Sequence, residues 1–127
     1  NDDLVQGQRG FGMHGHRDVE IVTYIVEGRL THQDSMGTRE TRGPGSVQFM
    51  SAGTGIQHSE HNLEDIPLRF VQIWIKTRRQ GLPPVYGGFD GTSATAREAR
   101  KNELAQLVGD KRGKEAASTP VTIEQFG

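Results

Sequence analysis

The feature that most constrains the fold is a succession of short, β-branched runs separated by glycine-rich turns. Residues 19–26 have strong β-propensity, and Glu27-Gly28 turns the chain directly after them. Residues 68–75 form the clearest predicted strand, because both of its alternating faces are largely apolar. A strand that is buried on both sides belongs in a sandwich or a barrel. The sequence therefore predicts an all-β domain.

The rest of the chain can be read in the same way, with less regular structure towards its end. Further strands are predicted over residues 30–33, 39–42, 47–50 and 56–60. Seventeen glycines and five prolines in 127 residues supply the turns between them. Residues 78–90 are predicted to be a loop. Residues 92–108 could be a helix, although 103–108 could equally be a strand; a mobile polar segment is expected at 109–118 and one more strand at 119–126.

Composition excludes several classes of function. The net charge is −1, with 15 basic and 16 acidic residues, so no direct nucleic-acid partner is expected. No stretch approaches the roughly 20 apolar residues that span a bilayer, so no membrane partner is expected either. The chain starts without an initiator Met or a signal-peptide pattern, and a cytoplasmic location is expected, or a nuclear one in a eukaryote. There is no cysteine, so a transition metal would need imidazole and carboxylate ligands.

The histidines are the main candidates for such ligands, since all five lie in the first half of the chain. Side chains two residues apart on a strand share a face. His14 and His16 therefore point the same way, and His58 and Glu60 repeat this arrangement. Two such pairs on neighbouring strands would supply three nitrogens and one oxygen, a set that suits Fe(II), Mn, Ni, Cu or Zn.

Several other residues are weaker candidates. Glu20 has the same strand parity as His14 and His16, so geometry alone leaves it in competition with Glu60 for the carboxylate position. His32 is expected to be exposed or hydrogen-bonded, and His61 to point away from the metal. Five apolar residues could line a substrate pocket or belong to the core: Phe11, Met13, Phe49, Met50 and Trp74.

Three segments resemble motifs of the pirin family. Residues 11–28 (FGMHGHRDVEIVTYIVEG) and 31–37 (THQDSMG) are similar to its first cupin motif. Residues 43–60 (GPGSVQFMSAGTGIQHSE) are similar to its second. The match runs from about residue 11 to residue 75 and most resembles the bacterial pirin-like quercetin dioxygenases. Gly15 stands where the family usually has proline, which should loosen the strand slightly.

The resemblance implies a cupin fold, the jelly-roll barrel also called a double-stranded β-helix. It places the metal ligands on His14, His16, His58 and Glu60, and it favours Glu60 over Glu20. Fe(II) is the expected metal, with Cu, Ni, Mn or Zn as alternatives.

The activity that the resemblance implies is flavonol 2,3-dioxygenation of a quercetin-type substrate by O2. In this interpretation Glu60 alternates between metal ligand and general base for the 3-hydroxyl. The alternative is a non-enzymatic iron-binding regulator that binds a transcription factor, as some pirins do. A third alternative is a degenerate cupin that binds nothing.

The length of the chain differs from the family pattern, because pirins have two barrels. Residues 1–76 are predicted to form the N-terminal cupin barrel. Residues 77–127 would supply a connecting loop, a candidate helix and the opening strand of a second, incomplete cupin. We expect either a piece of a longer protein or a chain reduced to one cupin. A protein partner or a second copy of the chain would then cover the open strand edges.

Overall fold

The computed structural model of the chain describes residues 1–110, 112 and 119–123, and within them it is almost entirely β-structure. The strands and the helix are β1 (Asp2–Val5), β2 (Arg9–His16), β3 (Val19–Glu27), β4 (Leu30–Asp34), β5 (Arg39–Arg42), β6 (Val47–Ser51), β7 (Ile56–Asn62), β8 (Leu68–Lys76), β9 (Val85–Phe89), α1 (Ala94–Glu98), β10 (Val108–Asp110) and β11 (Val121–Ile123). The all-β prediction with a short helical segment near the C-terminus is therefore confirmed.

Two antiparallel sheets form the body of the fold. The larger sheet has the strand order β1-β8-β3-β6-β9, and the smaller has the order β2-β7-β4-β5. A parallel pair, β10 and β11, follows at the end of the chain. One core cluster combines residues of the larger and the smaller sheet: Val5, Ile25, Leu30, Leu68 and Phe70. The two sheets therefore pack face to face around a common interior.

The β3–β4 connection depends on a glycine. Gly28 has a φ of +74°, in the left-handed region that glycine adopts without strain. A Cβ at this position would lie 2.5 Å from the carbonyl oxygen of Pro67. The tight turn lets β3 pass directly into β4 and so join the two sheets.

The central strand β3 has two different faces. Ile21, Thr23 and Ile25 face the interior, whereas Val22 packs with Val121 and Ile123 of β11 on the outer side of the large sheet. This alternation matters for the site, because it determines which polar residues of the strand can reach the interior.

Strand β8 differs from the expectation that both of its faces are buried. Leu68 and Phe70 are fully buried on the inner face. Ile73 on the outer face is 52% exposed, so the outer side of this strand lies partly at the surface of the chain. Apolar residues on both faces of a strand were therefore not sufficient to predict burial on both sides.

The loop predicted for residues 78–90 is wrong over its second half, since Val85–Phe89 pairs with β6. Gly87 makes this pairing possible, because a Cβ there would lie 2.6 Å from the Phe49 ring. The predicted mobile segment at 109–118 falls largely outside the described residues, as does the end of the strand predicted at 119–126.

The helix is shorter than the segment predicted for it. It begins after Ser93, whose side chain accepts a hydrogen bond from the amide of Ala96, and it has only five residues. Residues 103–107 are in neither a helix nor a strand. Within the described residues, no helix is long and apolar enough to cross a membrane.

Candidate metal centre

Three histidines from two neighbouring strands converge in the interior. His14 pairs with His58 in the β2–β7 ladder, and a register shift between Phe11 and His14 adjusts the direction of β2 just before the first histidine. The ring centroids of His14, His16 and His58 lie 4.5–4.9 Å apart. One nitrogen of each ring lies within 4.8 Å of the others, which is close enough for the three to bind a single ion.

The hydrogen bonding of these rings fits a metal. Nδ1 of His14 donates to the carbonyl of Gly12 at 2.7 Å, which leaves Nε2 with its lone pair. His16 Nε2 and both ring nitrogens of His58 are buried without a hydrogen-bond partner. Buried polar atoms are rarely left unpaired, and a metal ion would satisfy His16 Nε2 and the one nitrogen of His58 that faces the triad.

The electrostatic environment keeps His16 and His58 in the form that binds metals. Burial, followed by the neighbouring His14 and His16, lowers the pKa of His58 from 6.5 to about 3. Burial and then His14 also lower the pKa of His16. Neutral imidazole is the metal-binding form, so these two rings do not have to lose a proton at neutral pH before they bind an ion.

Glu60 lies on the same strand as His58 and lines a cavity with His14, and two amides hold its carboxylate. It is not part of the group of three side chains whose ligand atoms lie within 4.8 Å of one another. Gln48 Nε2 donates to Oε1 at 2.9 Å, and Gln72 Nε2 donates to Oε2 at 3.1 Å. Trp74 Nε1 donates to the Gln72 carbonyl, and the Tyr86 hydroxyl donates to that of Gln48 at 3.4 Å, which fixes the direction of both amides. Burial is the main cause that raises the pKa of Glu60, against hydrogen bonds that lower it.

His14 and Glu60 line a small cavity with an apolar mouth. A cavity of about 140 Å³ is lined by His14, Glu60, Phe11 and Trp74, among others. Trp74 is 54% exposed, and its ring meets that of His16 edge to face at 4.8 Å. The cavity is thus a polar interior with aromatic side chains where it opens to solvent.

The structure places Glu20 on the other side of the large sheet. It is next to Ile21 and Val22 in β3, and alternation puts it on the outer face with Val22, away from Thr23 and the interior. Glu20 is buried there. The parity argument that put it in competition with Glu60 is therefore wrong, because parity within one strand does not carry through the turn into the next.

The remaining residues proposed from the sequence differ in whether they are buried or exposed. His32 is fully buried and hydrogen-bonded, so the alternative of an exposed ring is wrong. His61 is partly buried and lies on the opposite face of β7 from Glu60, as expected. Of the five apolar candidates, Met50 is core and Phe49 packs on the outer face, whereas Phe11, Met13 and Trp74 are exposed.

Sequence reasoning missed the residues that hold Glu60. Gln48 and Gln72 are polar residues at inner positions of apolar strands, and that pattern was a usable signal. Tyr86 was missed because it lies in the segment predicted to be a loop.

Comparison with known proteins identifies the family. The profile that describes pirins matches residues 1–75, more than half of the chain. The chain belongs to the pirin family. The quercetin 2,3-dioxygenase of Escherichia coli is 49% identical over 87 residues, which are 68% of this chain and 38% of that protein. A Pseudomonas aeruginosa homologue, to which the same activity is provisionally assigned, is 47% identical over 116 residues, or 91% of this chain and 49% of its own length.

Solved structures of pirins confirm the predicted cupin fold. The crystal structure of YhhW from Escherichia coli superposes with a TM-score of 0.76 at 36% identity, and the match covers 98% of this chain and 49% of YhhW. YhhW has also been crystallised in complex with nickel(II); that structure matches with a TM-score of 0.67 at 46% identity, over 69% of this chain and 38% of YhhW. The chain thus spans between 38% and 49% of the length of these relatives.

Proposed function

We propose that this pirin-family chain binds one divalent transition metal through His14, His16, His58 and Glu60 and provides the metal centre of a flavonol 2,3-dioxygenase. The observation that carries the proposal is the convergence of three imidazoles, of which His16 and His58 have buried and unpartnered ring nitrogens. The buried carboxylate of Glu60 lines the same cavity as His14. The quercetin 2,3-dioxygenase name of the Escherichia coli relative supports the reaction class.

The donor set supports a fairly broad choice of metal. Three neutral imidazoles and a carboxylate suit Fe(II), Ni, Cu, Mn or Zn, and supply and geometry select among them. Fe(II) is the metal that the family resemblance implies, and a relative has been crystallised with nickel(II). When bound, the metal would acidify a coordinated substrate hydroxyl and hold the substrate beside O2.

In this proposal Glu60 has two roles, as the fourth ligand and as the base that takes the proton of the flavonol 3-hydroxyl. A base works best when its pKa approaches the working pH, and burial shifts the pKa of Glu60 in that direction. Gln48 and Gln72 would hold the carboxylate while the proton arrives, since each donates one hydrogen bond to it.

The cavity sets a limit on how the substrate binds. Its volume of about 140 Å³ is below the roughly 300–1,000 Å³ of sites that enclose drug-sized ligands. The reacting ring of a flavonol would enter the cavity, and the rest would lie against the exposed side chains of Phe11 and Trp74. Aromatic contacts of this kind contribute about 0.5–1.5 kcal/mol beyond the area they bury.

Because the chain spans less than half of its relatives, its partners also remain a proposal. Strands β5 and β2 are edge strands of the small sheet, and β1 is an edge strand of the large one. Unpaired strand edges favour association, so we expect a further cupin barrel or a second copy of the chain to cover them.

The test is a metal-reconstitution assay. The purified chain is loaded in turn with Fe(II), Ni(II), Cu(II) and Mn(II), and the absorbance of quercetin is followed in air together with O2 consumption and CO release. We expect turnover with at least one metal, loss of metal and turnover in His58→Ala, and retention of both in His61→Ala. His61 is a matched control, because it lies on the same strand but on its outer face.

Two outcomes would contradict the proposal. Metal binding and turnover that survive in His58→Ala would refute the site. Tight metal binding without O2 consumption, for every metal, would refute the dioxygenase and favour the regulator that binds a protein partner.

A further inference from the structure

A buried histidine and aspartate lie directly behind the metal centre and have no place in the function proposed above. His32 and Asp34 are on β4, next to β7, and Nε2 of His32 lies 2.7 Å from Oδ2 of Asp34. Their side chains are 1% and 0% exposed. The ring of His32 stacks on Tyr86 at 4.3 Å, with an angle of 17° between the planes, so its orientation is fixed from one side.

The contacts of Asp34 determine where the proton of His32 lies. Oδ1 of Asp34 accepts the backbone N–H groups of Met36 at 2.9 Å and Thr38 at 3.1 Å. Burial acts to raise the pKa of Asp34, but the hydrogen bonds from His32, Thr38 and Met36 outweigh it and lower the pKa below its ordinary value. A carboxylate only accepts hydrogen bonds, so Nε2 of a neutral His32 must carry the proton, and Nδ1 keeps its lone pair.

The ring of His58 is a neighbour to which that lone pair could bond. Nδ1 of His32 is buried without a partner, and so are both ring nitrogens of His58. The centroids of the two rings are 5.4 Å apart. This separation is close to that of two imidazoles joined edge to edge by one hydrogen bond of about 3 Å. The structure does not form this hydrogen bond; a rotation of either ring that brings the facing nitrogens to this distance would let Nδ1 of His32 accept the N–H of His58 that faces away from the triad.

We propose that Asp34 and His32 are positioning residues that fix the tautomer of His58, so that its lone pair points to the metal. The order Asp34, His32, His58 extends by one imidazole the carboxylate–histidine arrangement that commonly orients metal ligands. The inference rests on the proposed metal centre for its purpose, but the tautomers can be measured in the metal-free protein.

The substitution Asp34→Asn tests this arrangement with little change of shape. The carbonyl of the new side-chain amide can still accept the two backbone N–H groups, while its NH₂ group replaces the acceptor that faces His32. Nε2 of His32 must then accept, Nδ1 must carry the proton, and the nitrogen of His58 that faces it must become an acceptor. The N–H of His58 would then point at the metal position.

Two readouts separate this role from a merely structural one. In long-range ¹H–¹⁵N spectra of the metal-free protein, we expect His32 to be the Nε2–H tautomer in the wild type and the Nδ1–H tautomer in Asp34→Asn, with a matching inversion at His58. In nickel(II) titrations we expect the variant to bind about 10–100-fold more weakly. Asp90→Asn is the matched control, because Asp90 also accepts the amide of the residue two positions later, Thr92, but lies outside the metal centre.

The outcomes distinguish failure of this inference from failure of the metal centre. An Nδ1–H tautomer of His32 in the wild type, or unchanged tautomers in Asp34→Asn, would overturn the positioning role. Equal nickel affinity in Asp34→Asn and the wild type would also overturn it. A wild type that binds no metal would refute the proposed function, and the tautomers would still decide whether His32 orients His58.

Discussion

Acidification of the metal-free protein from pH 7 to pH 5 is expected to lower its free energy of unfolding through His58. The pKa of His58 is about 3 in the folded chain, mainly because of burial, against a reference value of 6.5. Between these values the unfolded chain binds a proton that the folded chain does not, so stability falls as the pH falls below 6.5. At pH 5, 1.5 units below the unfolded value, the loss is about 2 kcal/mol, and it reaches about 4–5 kcal/mol near pH 3.

The assay is urea unfolding in the presence of EDTA at pH 7 and pH 5, for the wild type and His58→Gln. Glutamine does not titrate, so the variant should lose about 2 kcal/mol less than the wild type over this interval. Other shifted groups are present in both proteins: His16 adds to the loss on acidification, whereas Glu60, whose pKa is raised, opposes it below its folded pKa. Equal losses in the two proteins would refute the statement that His58 is held neutral by burial.

Three further predictions concern the core, the carboxylate and the metal. Phe70→Ala should lower the free energy of unfolding by about 3–5 kcal/mol, because Phe70 is 1% exposed. Ile73 on the same strand is half-exposed, so Ile73→Ala should have a much smaller effect, and urea unfolding measures both. Glu60→Gln should reduce the turnover of quercetin by about 10²–10⁴-fold if Glu60 is the base, and steady-state kinetics of the metal-loaded chain measures this; near-normal turnover would exclude that role. Nickel(II) at 100 times its dissociation constant should stabilise the wild type by about 2.7 kcal/mol and leave His58→Ala unchanged, as measured by unfolding with and without the metal.

Strands β3 to β8 and the histidine triad were predictable because both depend on local alternation. The β-branched run in β3 and the His-x-His pattern in β2 each place side chains on faces with a period of two. Only the assumption that the two pairs meet on neighbouring strands was needed in addition, and the pairing of His14 with His58 satisfies it.

The features of the fold and the site that could not be predicted from the sequence depend on how the strands are arranged relative to one another. Glu20 and the histidines have equal parity in the sequence, yet the turn at Asp18 lies between β2 and β3 and reverses the face. Strand β9 contains two adjacent glycines, which have poor β-propensity, and its pairing with β6 outweighs this low propensity. Because β9 was missed, Tyr86 and its contacts with His32 and Gln48 were missed with it.

The depth to which side chains around the site are buried could not be predicted from the sequence either. His32 lies in a polar stretch of β4 and was expected to be exposed or hydrogen-bonded. Asp34 on the same strand satisfies one ring nitrogen, which allows the pair to be buried. Gln48 and Gln72 reach Glu60 from the opposite sheet, so their role depends on the packing of the two sheets.

The most direct test of the metal centre is X-ray absorption spectroscopy of the nickel(II)-loaded chain. The proposed site predicts one nickel per chain, with outer-shell scattering from three imidazoles and light-atom donors that include an oxygen. In His58→Ala the signal of one imidazole should be lost, together with most of the bound metal. A wild-type spectrum with fewer than three imidazoles, or an identical spectrum for His58→Ala, would contradict the assignment of His14, His16 and His58 as the metal ligands.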